Sequence, residues 1–178
     1  MPAARDIDGI LKYCQAAYRV VEQKVICPIG SDTEHSTIVQ AFADLAANQF
    51  NGARAHLRNA ASHLTSGAYA DSVRESIHAV EAVGRTLDPT ADVLSKALAK
   101  LEQKDLDPSS DEKGFTSLYA YPSDEKGMRH ALLDDSTAKV DEADALFMFG
   151  SCAAFVSYLI NKAGRVASCS MFTHPQEK

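Results

Sequence analysis

The amino-acid sequence predicts an all-α chain, an antiparallel helical bundle built around a central apolar helix near the C-terminus. Three observations carry that expectation. Alanine, the strongest helix former, recurs in A-A-N-Q-F, N-A-A-S-H-L and S-K-A-L-A-K-L. Apolar residues return at steps of three and four through most of the chain, the spacing of one helix face. The longest uncharged stretch, Leu146 to Ile160, falls short of the ~20 residues a membrane-spanning helix needs, so it reads as a buried core helix. With 178 residues, 46% hydrophobic and 24% charged, the chain fits a single domain over 1–178 with a substantial core.

The first helix is expected over Asp6 to Val25, where Ile7, Leu11, Cys14, Tyr18, Val21 and Val25 share a face. Cys27-Pro28-Ile29-Gly30-Ser31-Asp32 ends it with proline and glycine, so 1–30 forms an N-terminal helix and turn. A second helix runs from Thr37 to Leu64 with Phe42, Leu45, Ala53, Leu57, Ala60 and Leu64 in one stripe. Asn51-Gly52 inside it either kinks it or divides it in two. After the Thr65-Ser66-Gly67 turn comes the most regular helix, Tyr69 to Leu87, with Val73, Ile77, Val80, Gly84 and Leu87 along its seam. The short turn between these helices implies an antiparallel hairpin.

Asp88-Pro89 reads as a helix start, aspartate as N-cap and proline at the first helical position. The helix it opens carries Val93, Leu94, Ala97, Leu98 and Leu101, and a polar loop over Lys104 to Lys113 follows. A short helix holds Phe115, Leu118 and Tyr119, and Tyr121 to Gly127 is turn chemistry. The last helix starts near Asp141, with acidic Asp141, Glu142 and Asp144 complementing its dipole. It is expected to bury nearly all sides of Ala145 to Ile160 and to stop at Lys162-Ala163-Gly164. The bundle proper therefore spans 37–164, with 165–178 as a flexible tail and no strand anywhere.

The formal net charge of −6 and pI near 5.5 mean that the overall field does not attract nucleic acid, so an RNA contact must be local. The N-terminus has no apolar segment of the secretory type. Cys14, Cys27, Cys152 and Cys169 show no C-x-x-C spacing, and Cys14 and Cys152 fall on apolar stripes as reduced core thiols. A soluble, cytoplasmic protein without membrane contact is expected.

The sequence holds no Walker loop, G-x-G-x-x-G, H-E-x-x-H or G-x-S-x-G, and its six histidines lie far apart without metal-ligand spacing. No cofactor and no metal site are expected. Three polar groupings remain. Arg58-Asn59-Ala60-Ala61-Ser62-His63 has its Arg and His five apart in mid-helix, so they point to different faces and read as solvated surface. Ser123-Asp124-Glu125-Lys126-Gly127-Met128-Arg129-His130 concentrates polar residues on a turn before the last helix. There Arg129 either serves a site with His130 or pairs structurally with a carboxylate such as Glu75 or Glu81. Arg74, His78, Glu81 and Arg85 share a stripe distinct from the apolar seam. That stripe reads as i,i+4 ion pairs, or as one wall of a polar pocket if it meets the Gly127–His130 turn.

Three ordered blocks carry a family resemblance. They are A-Y-A-D-S-V-R-E-S-I-H-A-V-E from Ala68, L-Y-A-Y-P-S-D-E-K-G-M-R-H-A-L from Leu118, and A-L-F-M from Ala145 continuing through F-V-S-Y-L from Phe155. Together they resemble the HEPN-like C-terminal region of AbiJ-type abortive-infection proteins, over about Phe42 to Lys162. The resemblance implies a HEPN-like bundle, often dimeric, linked to phage defence or RNA metabolism. The leading expectation is an RNA-binding or RNA-cleaving homodimer with Arg129 and His130 at the site, Arg74, Glu75, His78 and Glu81 in support, and metal-independent chemistry if it cleaves. The chain departs from the pattern at Ala120 and Pro122, where the family has glycine and threonine, and Arg129 and His130 are adjacent instead of spaced R-x4-6-H. A non-catalytic module that binds a protein partner is the competing expectation.

Overall fold

A computed structural model describes residues 4–90 and 140–171, with side chains described from 6 to 90 and from 140 to 165. Helix accounts for about three quarters of the described chain, and a two-stranded sheet is the only other regular structure among the described residues. The elements are α1 (Ala4–Tyr13), β1 (Tyr18–Val21), β2 (Val25–Pro28), α2 (Asp32–Ala47), α3 (Asn51–Ser66), α4 (Tyr69–Leu87) and α5 (Glu142–Met171). The mainly helical expectation therefore holds, with corrections at the N-terminus, at the α2–α3 break and at the C-terminal end.

The single helix expected over Asp6 to Val25 is a short helix followed by an antiparallel hairpin. Helix α1 ends at Tyr13, and β1 pairs with β2 from Tyr18↔Pro28 to Val21↔Val25. The reason is local. Val20, Val21, Val25 and Ile26 are β-branched and suit an extended backbone, and Glu22 and Gln23 turn the chain at positive φ of 53° and 57°. The apolar steps at Tyr18, Val21 and Val25 fit a helix only by coincidence of spacing. The hairpin is tied to its neighbours by polar contacts. Asp8 accepts the Val20 amide at 3.1 Å, Arg19 pairs with Asp32 at 3.0 Å, and the Thr65 hydroxyl donates to the Ile26 carbonyl at 2.6 Å.

Ser31 caps α2, its hydroxyl accepting the Glu34 amide at 3.1 Å, while the Glu34 carboxylate reaches back to the Gly30 amide at 2.6 Å. The helix ends at Asn48, not at Asn51-Gly52. Gln49 adopts a left-handed φ of 60°, and Asn51-Gly52 forms the first turn of α3. Gly67, at φ 79°, closes α3 with a left-handed cap and returns the chain as α4. The resulting hairpin is antiparallel and close. Small residues line its interface, and the buried Ser72 hydroxyl donates across it to the Ala60 carbonyl at 2.9 Å.

Helix α5 packs on α4 and α2 and supplies Met148, Phe149, Cys152, Ala153, Phe155, Val156 and Leu159 to the core. Asp141 and Asp144 cap it reciprocally, each carboxylate accepting the other's amide, at 2.9 and 3.2 Å. Two expectations about this helix are corrected. It continues through Gly164 to Met171, because glycine costs a helix only about 1 kcal/mol and does not stop one unless the backbone turns left-handed. It is also not apolar on all sides toward the core, since Phe147, Ala154 and Tyr158 are exposed along one stripe. Its Glu142–Arg165 segment is long and apolar enough to cross a membrane by length and composition, and half of its apolar window is buried against the bundle.

The expected helix after Pro89, the polar loop, the short Phe115 helix and the turn with Arg129 and His130 lie outside the described residues. At the boundary, Asp88 is the C-cap of α4, and its carboxylate accepts the Thr90 amide at 2.9 Å.

Candidate functional site

Two imidazoles and a carboxylate converge on the α3–α4 hairpin, and one of them, His56, is not among the residues that the sequence singles out. Glu75 and His78 are one turn apart on α4, and His56 faces them from α3. His56 Nδ1 lies 2.9 Å from Glu75 Oε2, and His78 Nδ1 lies 3.8 Å from Glu75 Oε1. The two imidazole rings meet edge to face with centroids 5.3 Å apart. Asn59, one turn beyond His56, donates to Glu75 Oε2 at 3.3 Å. One ligand-type atom from each of His56, Glu75 and His78 falls within 4.8 Å of the others.

The packing beneath explains why these groups meet. Ser72, Ser76 and Ala79 on α4 and Ala53, Ala60 and Ala61 on α3 are buried, so the two backbones approach closely. Glu75 and His78 sit at the edge of that buried stripe and are carried to the rim of the interface. The cluster is half open, with side-chain exposures of 35% for His56, 19% for Glu75 and 40% for His78. Burial works to raise the Glu75 carboxyl, but the hydrogen bonds from His56 and Asn59 and the imidazole charges outweigh it and hold the group below its ordinary value. Glu75 is therefore an ionised acceptor at neutral pH.

The other sequence-derived candidates divide. Arg74 does not join the cluster; it pairs with Asp71 on its own helix at 2.6 Å, both side chains being exposed. Glu81 lies 3.5 Å from Arg85, again along one helix. The stripe of Arg74, Glu81 and Arg85 is thus a surface with i,i+3 and i,i+4 pairs, while His78 leaves it for Glu75 and His56. Arg129 and His130 lie outside the described residues, as does any pairing of Arg129 with Glu75 or Glu81.

The Arg58–His63 string is not the bare solvated surface expected of it. Arg58 Nε donates to Glu22, and Arg54 pairs with the same carboxylate, whose side chain is only 7% exposed. The Glu22 carboxyl is pushed up by burial and pulled down further by the two guanidinium groups, so it too titrates below its ordinary value. His63 takes no part in that contact.

The same hairpin brings together three ligand-type side chains that no spacing in the sequence places side by side. The histidines are distant in sequence, but His56 and His78 lie equally far from Gly67 on either side. Pairing the two arms of the hairpin about that turn would have brought them together. The missing signal was the pairing, because spacing within one helix reveals only Glu75-x-x-His78.

Compared with protein-family models, with curated proteins and with solved structures, the chain shows no match in any of the three.

Proposed function

We propose that this chain is a HEPN-like, cytoplasmic domain of phage defence or RNA metabolism that binds or cleaves RNA without metal, as a homodimer. The observation that carries the reading is the convergence of His56, Glu75 and His78 on a half-open face of the α3–α4 hairpin, with Glu75 and His78 inside the first block of the resemblance. Cleavage of RNA by internal transfer needs a base to take the 2′-hydroxyl proton and an acid to protonate the departing 5′-oxygen. The 2′-oxygen then bonds to phosphorus as the bond to the 5′-oxygen breaks, leaving a cyclic phosphate and a 5′-hydroxyl. Two imidazoles at this separation suit the two proton transfers, and Glu75 orients His56 by its hydrogen bond. In this reading Arg129 holds the phosphate and His130 shares the proton handling.

The test is incubation of the purified chain with total RNA and with tRNA in EDTA, beside Arg129→Ala, His130→Ala, His56→Ala and His78→Ala. Cleavage should fall by about 10²–10⁴-fold in a variant that has lost a proton-transfer group. RNA that stays intact and unbound with the wild-type chain overturns the proposal. Cleavage undiminished in all four variants overturns its site.

A second reading is favoured by the surface pairs Arg74–Asp71 and Arg85–Glu81 and by the net charge of −6. It takes the chain as a non-catalytic module that binds a protein partner, with His56–Glu75 as a structural link between helices. Wild-type chain that leaves RNA intact, together with a His56→Ala variant that is merely less stable, supports this reading instead.

A further inference from the structure

We propose that His56, Glu75 and His78 form a binding site for a late first-row divalent cation of the zinc class. The inference stands on the geometry of the hairpin and does not depend on the RNA reading. Two imidazole nitrogens and one carboxylate are a ligand set that zinc uses when three protein groups leave a fourth position open. Bonds of about 2.0–2.2 Å at tetrahedral angles place ligand atoms roughly 3.3 Å apart. One ligand-type atom from each of His56, Glu75 and His78 lies within 4.8 Å of the others, a spread that side-chain rotation must draw in to reach that value.

The elements favour such a site. All three ligands stand on helices, and beneath them the buried Ser72 hydroxyl ties α4 to the Ala60 carbonyl of α3. Glu75 and His78 form an i,i+3 pair, a spacing that helical metal proteins use to aim two ligands at one ion. Asn59 donates to Glu75 Oε2 and orients the carboxylate from outside the ligand set. The chemistry also selects the ion. Magnesium and calcium demand mainly oxygen ligands, whereas two imidazoles suit zinc, nickel, copper or cobalt. With the site filled, each imidazole commits a lone pair to the ion, so an ion there competes with proton transfer by the same rings.

The experiment titrates Zn2+ into the metal-stripped, full-length chain by calorimetry, with no RNA present. One ion should bind per chain, and the melting temperature should rise by several degrees when the ion is in excess. His56→Ala and His78→Ala should each weaken binding by more than about tenfold, whereas Cys14→Ser should leave it unchanged. A wild-type chain that binds no Zn2+, or affinity unchanged in both histidine variants, overturns the inference. Substitution of Co2+ into the wild-type chain needs no variant to fold. Visible absorption of a tetrahedral cobalt ion without thiolate-to-cobalt charge transfer supports the site, and a dominant thiolate band assigns the ion to cysteine and overturns it. Because the RNA assay runs in EDTA and this titration runs without RNA, either proposal can fail while the other stands.

Discussion

Glu22, at the tip of the β-hairpin, accepts a hydrogen bond from the guanidinium of Arg58, 36 residues further along the chain on α3. Arg54, one turn earlier, pairs with the same carboxylate. The hairpin is thereby clipped to the outer face of α3 by two cations and one buried anion. Glu22→Ala leaves both guanidinium groups without their shared acceptor. Each arginine is about one-third exposed, so water rehydrates them in part, and the loss should be about 1–3 kcal/mol, not the larger cost of orphaning a fully buried ion. Urea unfolding monitored by circular dichroism measures it. A midpoint unchanged from wild type would show that the clip contributes nothing.

Arg58 is committed to that clip, which separates two consequences of removing it. Arg58→Ala should lower stability by about 1–2 kcal/mol and leave any RNA cleavage within a factor of two once the protein is held well below its melting temperature. His63→Ala should change neither. An RNA activity that collapses in Arg58→Ala at full foldedness would move the site from the hairpin rim to the Arg58–His63 string.

Acid should weaken the fold through three carboxyls. Burial works to raise Glu22, Glu75 and Asp8. It is outweighed by Arg58 and Arg54 at Glu22, by His56 and Asn59 at Glu75, and by the Val20 amide and Lys12 at Asp8, so each titrates below its ordinary value of 4.5, 4.5 or 3.8. A carboxyl lowered by folding binds fewer protons in the folded chain than in the unfolded one, so its stabilisation is complete above the unfolded value and is lost as pH falls through the folded one. The melting temperature should hold its level down to about pH 5 and drop below that, and Glu22→Gln should flatten the drop. A wild-type melting temperature that is constant between pH 6 and pH 3 would contradict this linkage.

The cysteines offer a chemical probe of the same fold. Burial pushes the Cys152 thiol up to about 12, and burial together with the Glu34 charge does the same to Cys27. Cys14, expected in the core from its place on an apolar stripe, is instead exposed just after α1. In a Cys169→Ser background at pH 8, iodoacetamide should label Cys14 at least tenfold faster than Cys27 or Cys152, with the difference disappearing in denaturant. Equal labelling of all three in the native chain would mean that the core opens far more readily than this packing allows.

Helices were legible in this sequence where packing and local preference agree. On the α4 seam Val73, Val80 and Gly84 are buried as the spacing predicts, while Ile77 and Leu87 are only partly buried, and the Thr65-Ser66-Gly67 turn reverses the chain at a left-handed glycine. The β-hairpin was hidden because Tyr18, Val21 and Val25 mimic helical steps, while its turn is made by Glu22 and Gln23, which carry no glycine or asparagine to announce positive φ. The division of the second helix was one alternative that Asn51-Gly52 offered, but Gln49 at positive φ sets the break a few residues earlier. The cluster was half legible. Glu75 and His78 were named because they share a helix, but His56 enters only when α3 folds back about Gly67, a tertiary fact absent from any local pattern.

Two phenylalanines on α5 test how that helix is seated. Phe149 is fully buried, whereas Phe147, two residues earlier, is 57% exposed. Phe149→Ala removes a ring from a packed core and should cost about 3–5 kcal/mol. Phe147→Ala should cost clearly less than Phe149→Ala, since more than half of its surface stays in water. Chemical denaturation of both variants decides it. Comparable losses at the two positions would mean that the exposed stripe with Phe147, Ala154 and Tyr158 is covered in solution, so that α5 carries a second packed face in addition to the one directed at the hairpin.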